Sequence, residues 1–203
     1  MLQITDWPYM QDVSFTGNIE ADIPHFLYLN GKQETAKHCI AVARMAEQLA
    51  AQFDVDIVAA STAALLHDIS AVINPADMLE YALSLHWSIY EAEIKLPFLL
   101  HQRVSAVIAK EAFQISEEGV LSAIACHTTL KSDPSPLDMV LFLADKLAWD
   151  QEGIPPFFDL VQRELKHSLS RATLAYIHFV LEHGMILFPH PWLLEAKGWL
   201  EKQ

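Results

Sequence analysis

The chain has 203 residues, a formal net charge of −13, 10 histidines and 2 cysteines, and 52% of its residues are hydrophobic. That length suits one domain able to bury its own core, and no run of eighteen apolar residues is free of charge, which argues against a membrane-spanning helix and predicts a soluble protein. The negative charge, with no Lys/Arg cluster to offset it, argues against polymeric DNA or RNA as the main partner; small anionic substrates stay open because bound divalent metals can reverse the sign of a site.

The opening MLQITDWPYM has no basic segment followed by a long apolar run, so neither a secretory nor a transit peptide is visible and a cytoplasmic location is expected. Cys39 and Cys126 are too sparse for a disulfide framework and are expected to pack as small hydrophobes. Residues 1–30 read as an N-terminal extension packing on the bundle. From Glu34 to Phe53, the residues Ile40, Ala43, Ala46, Leu49, Ala50 and Phe53 recur at helical spacing with charges between them. Asp56 then caps IVAASTAALLHDISAVI, so apolar that it predicts one helix buried on most sides, with His67 and Asp68 in its last turns.

Asn74-Pro75 is a start signal for a helix to about Leu85, and a polar stretch follows as far as Pro97. Helical spacing returns from Leu99 to Phe113 and from Glu117 to about His127, with Ser116 as a candidate cap. Ser135, Pro136 and Asp138 form a strong start for the helix that carries Asp145. After the break at Gly153, Pro155 and Pro156, two more helices run to about Lys166 and from Ser170 to His183, Gly184 stops the second, and Pro191 opens a terminal one. No period-two segment, repeat or low-complexity tract interrupts this pattern, so the predicted fold class is all-α, a single-domain helical bundle.

The His67-Asp68 doublet carries the chemical information. An ionised carboxylate inside an apolar run is costly without a counter-charge, and a metal cation resolves that cost. Imidazole and carboxylate together suit divalent metals and leave positions open for water, which points to catalysis. His38 and Asp145 lie in mid-helix on apolar faces that should point into the bundle, and His101 and His127 stand at helix ends where they could hold a second ion bridged by Asp68. Two such ions can clamp the attacking and leaving oxygens of a phosphoryl displacement. For any single histidine, a core or hydrogen-bonding role competes with this reading. Trp149, Trp192, Trp199 and the Phe157-Phe158 pair read as core residues rather than a base-stacking wall.

The order His38, LLHDI at 65–69, LLH at 99–101, HTT at 127–129 and LADK at 143–146 resembles the HD-domain superfamily of metal-dependent phosphohydrolases, and within it the YqeK-like group. The resemblance covers roughly residues 34–184. It implies an HD-type helical domain over 31–185 with a C-terminal helix over 186–203. It also implies a hydrolase that cleaves diadenosine tetraphosphate symmetrically to two ADP molecules at a di-iron centre. In that family His38, His67, Asp68 and Asp145 match the principal metal ligands and His101 and His127 the additional ones, with His67 and Asp68 carrying catalysis. Arg103 and Lys146 remain as candidate contacts to substrate phosphate.

The group usually has lysine at position 71, glycine at 130 and arginine at 151 and 35; here stand Ala71, Leu130, Gln151 and Thr35. Bidentate phosphate recognition by arginine is not replaced by glutamine or threonine. The expected function is therefore metal-dependent hydrolysis of a nucleotide or dinucleoside polyphosphate through a metal-activated water. An HD-type nucleotide monophosphatase or phosphodiesterase, and a catalytically weak nucleotide-binding module, are the alternatives. Such a site accepts iron, manganese, zinc, cobalt or nickel. The apolar C-terminal segment leaves a homodimer open.

Overall fold

The computed structural model describes residues 8–10 and 14–203; the rest of the expected N-terminal extension lies outside the described residues. Among them there are eleven α-helices and no strand, as expected of an all-α chain. The first helix, α1 (Ile19–Leu29), went unread in the sequence because Pro24 interrupts its pattern; Asn18 caps it through Glu20 N, and Ile23, Phe26 and Leu27 are buried. A turn with Gly31 at φ +71 leads to α2 (Gln33–Gln52), where Ala36, Cys39, Val42, Ala43, Ala46, Leu49 and Ala50 form the buried stripe. α3 (Ile57–Leu66), capped by Asp56, buries Ala60, Ala63 and Ala64. Small residues on both helices permit close packing of α2 and α3, and α2 also packs on α8 (Pro136–Leu147).

The long helix expected from Ile57 to Ile73 is not continuous. α3 ends at Leu66, Asp68 leaves helical geometry at φ −109 and ψ 19, and a 3-10 turn covers Ile69–Val72. The cause is local, because the His67 ring takes the carbonyl of Ala64 at 2.7 Å and satisfies one of the acceptors that every helix end leaves free. The break turns the Asp68 carboxylate out of the helix and into the bundle interior.

Asn74 caps α4 (Pro75–Ser84). The polar stretch before Pro97 contains a short helix, α5 (Glu91–Lys95), and a 3-10 turn at Pro97–Leu100 feeds α6 (His101–Glu111). α7 (Glu118–Cys126) begins after Glu117, not Ser116. The Ser135/Asp138 capping box at the start of α8 is present as expected, with each side chain bonded to the other residue's backbone N–H. α9 (Phe158–Leu165), α10 (Leu169–Glu182) and α11 (Pro191–Leu200) complete the chain. One hydrophobic cluster runs from Ile23 through α2, α3, α6, α7 and α8 to Leu200, so the first and last helices share the core of the rest. Cys39 and Cys126 are buried free thiols within it. Phe157 is also core, while Trp192 and Trp199 pack partly buried against it.

Candidate metal and active site

Five helices bring six side chains together: His38 from α2, His67 and Asp68 from the end of α3, His101 from the start of α6, His127 from the end of α7, and Asp145 from α8. His38 Nε2 lies 3.0 Å from Asp145 Oδ1, which is 3.6 Å from His67 Nε2. Asp68 faces two groups at once. Its Oδ2 is 3.5 Å from His67 Nε2, while its Oδ1 is 3.3 Å from His101 Nε2 and 3.5 Å from His127 Nε2.

Three of the rings are fixed by one local device. His67 Nδ1 donates to the carbonyl of Ala64 at 2.7 Å, His101 Nδ1 to Phe98 at 2.6 Å and His127 Nδ1 to Ile124 at 2.8 Å, each three residues back. A carbonyl only accepts, so Nδ1 carries the proton and Nε2 presents a lone pair to the centre. His101 and His127 then hold their Nε2 atoms 2.9 Å apart with no proton between them, and His67 Nε2 is buried without a hydrogen-bond partner. Lone pairs and carboxylates facing one another repel unless a cation lies among them. Separations of 3.0–3.6 Å between neighbouring donors suit ligands that share an ion at about 2.1 Å. The residues present therefore fit a divalent metal.

The electrostatics agree. Burial opposes ionisation of Asp68, yet His67, His101 and His127 hold its carboxyl well below the ordinary range. Burial likewise opposes ionisation of Asp145, and Lys146, His38 and His67 override it. Desolvation opposes charging of His67, yet Asp68 raises it well above its usual value, so without a cation Nε2 of this ring takes up a proton that a bound metal would displace. His127 is pushed down to about 4 by burial, with His67 and His101 adding to the shift.

Lys146 donates to Asp145 Oδ2 at 2.6 Å and to the carbonyl of His127 at 3.0 Å, so two of its three donors orient the centre. Arg103, the other candidate phosphate contact, is committed elsewhere. It pairs with the fully buried Glu93 at 3.3 Å, donates to Ser88 O and stacks over Trp87 at 4.1 Å. The sequence offers no pairing signal between Arg103 and Glu93, ten residues apart across a 3-10 turn. Three supporting groups also escaped sequence reasoning. The buried Gln102 Oε1 accepts from the backbone N–H of Thr128 and Thr129, Thr128 Oγ1 lies 3.2 Å from His101 Nε2, and Ser70 Oγ donates to the carbonyl of His101. Polar residues inside apolar helices were the available signal.

Three cavities meet this centre. One of about 640 Å³ is lined by Lys32, Asp68, Ala71, Asn74, Phe98 and His101. A second of about 490 Å³, bounded by Thr35, Lys37, His38, Trp149 and Asp150, reaches Asp68 from another side. A third of about 340 Å³ is walled by Phe98, Thr128, Lys146, Tyr176 and Phe188. Of the altered family positions, Ala71 and Thr35 line cavities, whereas Gln151 is exposed and Leu130 is fully buried with φ +55.

Fold and site together define a helical protein whose histidines and aspartates are arranged for a divalent cation. The chain belongs to the HD domain family, whose model matches residues 35–150. It is similar over 144 residues, at 41% identity and covering 71% of this chain and 73% of the relative, to an uncharacterized protein in the pepC 5' region of Lactococcus lactis subsp. cremoris. At 24% identity, covering 80% of this chain and 87% of the relative, it resembles the symmetrical bis(5'-nucleosyl)-tetraphosphatase of Bacillus subtilis. A crystal structure from Clostridium acetobutylicum, described as a "predicted HD superfamily hydrolase involved in NAD metabolism", superposes with a TM-score of 0.78 at 26% identity over 89% of this chain and 95% of that one. The chain is thus an HD-domain hydrolase.

Proposed function

We propose that the chain hydrolyses a dinucleoside polyphosphate of the diadenosine tetraphosphate type, at a pair of divalent ions held by His38, His67, Asp68 and Asp145 on one side and by Asp68, His101 and His127 on the other. One observation carries this reading: the two oxygens of Asp68 face different histidines, and two cavities open on Asp68 from different sides. A substrate with a nucleotide on either side of the cleaved bond needs room on both sides of the reacting phosphorus. Bound there, divalent cations polarise a phosphoryl oxygen and lower the pKa of the attacking water.

The chain's own residues do the rest. The carbonyls of Ala64, Phe98 and Ile124 orient three imidazoles, Lys146 holds Asp145, and the Ser70–Ser105 pair ties the Asp68 turn to α6. Iron is the metal the family favours and manganese the nearest substitute by donor type. The buried free thiols Cys39 and Cys126 support a cytoplasmic location. Exposed Phe98, Met185 and Leu187 beside the third cavity support a homodimer, and the negative charge supports a small nucleotide over a polymer.

Purification without chelators, elemental analysis and chromatography of products from diadenosine tetraphosphate test the proposal. The expected result is one to two metal ions per chain and ADP as the product, with both lost in Asp68→Ala. A mixture of AMP and ATP, or a protein that takes up no divalent metal, overturns it. A nucleotide-binding module with weak turnover is favoured by one feature, the engagement of Arg103 and Lys146 by carboxylates of the protein itself; tight ADP binding without hydrolysis in the metal-loaded protein is its signature.

A further inference from the structure

Metal ions at the centre neutralise the phosphoryl group being cleaved, but the remaining phosphates of a polyphosphate chain carry charge into a protein of net −13. Some cation of the chain must meet them, and most candidates near the centre are already spoken for. Arg103 is held by Glu93, Lys146 by Asp145, Lys37 by Glu34 at 2.7 Å, and Lys131 by Asp138 at 3.0 Å. Lys32 differs. It lines the largest of the three cavities together with Asp68 and His101, it is half-buried, and among the described residues no carboxylate lies within ion-pairing distance of its amine.

Its backbone is fixed although no carboxylate among the described residues pairs its charge. Lys32 stands immediately before α2 with φ −107 and ψ 50, its backbone N–H donates to Leu27 O at 2.8 Å, and its carbonyl accepts from Ala36 N at 3.0 Å. The left-handed Gly31 ahead of it, a conformation costly for any residue with a Cβ, is what turns the chain from α1 and brings Lys32 over the cavity. The same cavity is lined by Ala71, whose methyl group is small, and by the apolar Val72, Ile73 and Met78. A cavity whose lining combines a cation, two candidate metal ligands and apolar surface suits a nucleoside polyphosphate.

We infer that Lys32 is a substrate-binding residue whose ammonium group meets the non-reacting phosphates of the nucleotide in the cavity opening on Asp68 and His101. The assignment rests on the proposed hydrolase reading and sharpens it, because it selects for substrates with a phosphate chain over simple esters. An ammonium to phosphate contact of this kind changes binding by about 10- to 100-fold.

The test compares wild type with Lys32→Ala, Lys32→Glu and Lys32→Arg, all metal-loaded, on diadenosine tetraphosphate and on bis(p-nitrophenyl) phosphate, a diester with no phosphate chain. The expected result is a KM for the tetraphosphate raised about 10- to 100-fold in Lys32→Ala and further in Lys32→Glu, with Lys32→Arg close to wild type. The loss on tetraphosphate exceeds that on the diester by about tenfold, and metal content is retained. A KM within twofold of wild type, or equal losses on both substrates, overturns the assignment. If the wild type cleaves no nucleotide, the hydrolase reading fails separately, and calorimetric titration of ADP decides the role of Lys32. Weaker binding to Lys32→Ala than to wild type supports it; equal binding, or none to either, overturns it.

Discussion

Asp68 works because neighbours on three helices compete for one carboxylate, and His127 shows what that costs. Burial holds His127 neutral to about pH 4, whereas an unfolded histidine takes a proton near 6.5. Between those values the unfolded state binds more protons, so the stability His127 contributes is present above pH 6.5 and declines as pH falls toward 4. The raised pKa of His67 acts above 6.5 and the lowered ones of Asp68 and Asp145 act below 3.8, so neither changes the slope inside that window. Urea denaturation of the metal-free protein is expected to show a loss of about 2 kcal/mol between pH 7 and 5, a loss that His127→Gln removes. Leu130 is a second residue-scale case. It is fully buried yet held at φ +55, where glycine is at ease and a Cβ costs roughly 1–2 kcal/mol. Cavity formation outweighs the relief, so Leu130→Gly should lower stability by a net of about 1–3 kcal/mol, read as a shift of the urea midpoint. The histidines and aspartates themselves were legible by type and order. Their tautomers were not, because each depends on a backbone carbonyl three residues back whose availability is set by the local helix end or 3-10 turn.

Helix starts were read from the sequence more surely than helix interiors. The Asp56, Asn74 and Ser135 caps all make the hydrogen bonds that their side-chain chemistry predicts. Ser135→Ala should destabilise by about 1 kcal/mol in thermal unfolding, since it frees Asp138 N at the start of the helix that carries Asp145. The stop at Leu66 was missed because IVAASTAALLHDISAVI has uniform hydrophobicity and nothing in its pattern marks where the backbone turns. α1 was missed for the opposite reason, since a proline at Pro24 is tolerated within its second turn, where few backbone hydrogen bonds are lost. The alanines of α2 and α3 set how closely His38 and His67 approach. Ala63→Leu therefore overpacks that contact, with an expected cost of about 1–3 kcal/mol and a parallel drop in bound metal on elemental analysis.

At the scale of the whole molecule the proposed metal site, once loaded, would act as a cross-link. Its ligands come from α2, the end of α3, α6, α7 and α8, elements that span residues 33–147 of a chain with one continuous core. A cation bound to the folded state alone stabilises it by mass action, so chelation should lower Tm by several degrees and added manganese or iron should restore it. A Tm indifferent to chelator and metal would count against the site. Composition, charge, the capped helix starts and the six ligand candidates by type and order were legible in the sequence, because capping, periodicity and residue chemistry are local properties. Tertiary structure decided which candidates meet, that Arg103 pairs with Glu93, and that Lys32 lines the cavity, because pairing between residues distant in the chain follows from packing, and no local pattern encodes it.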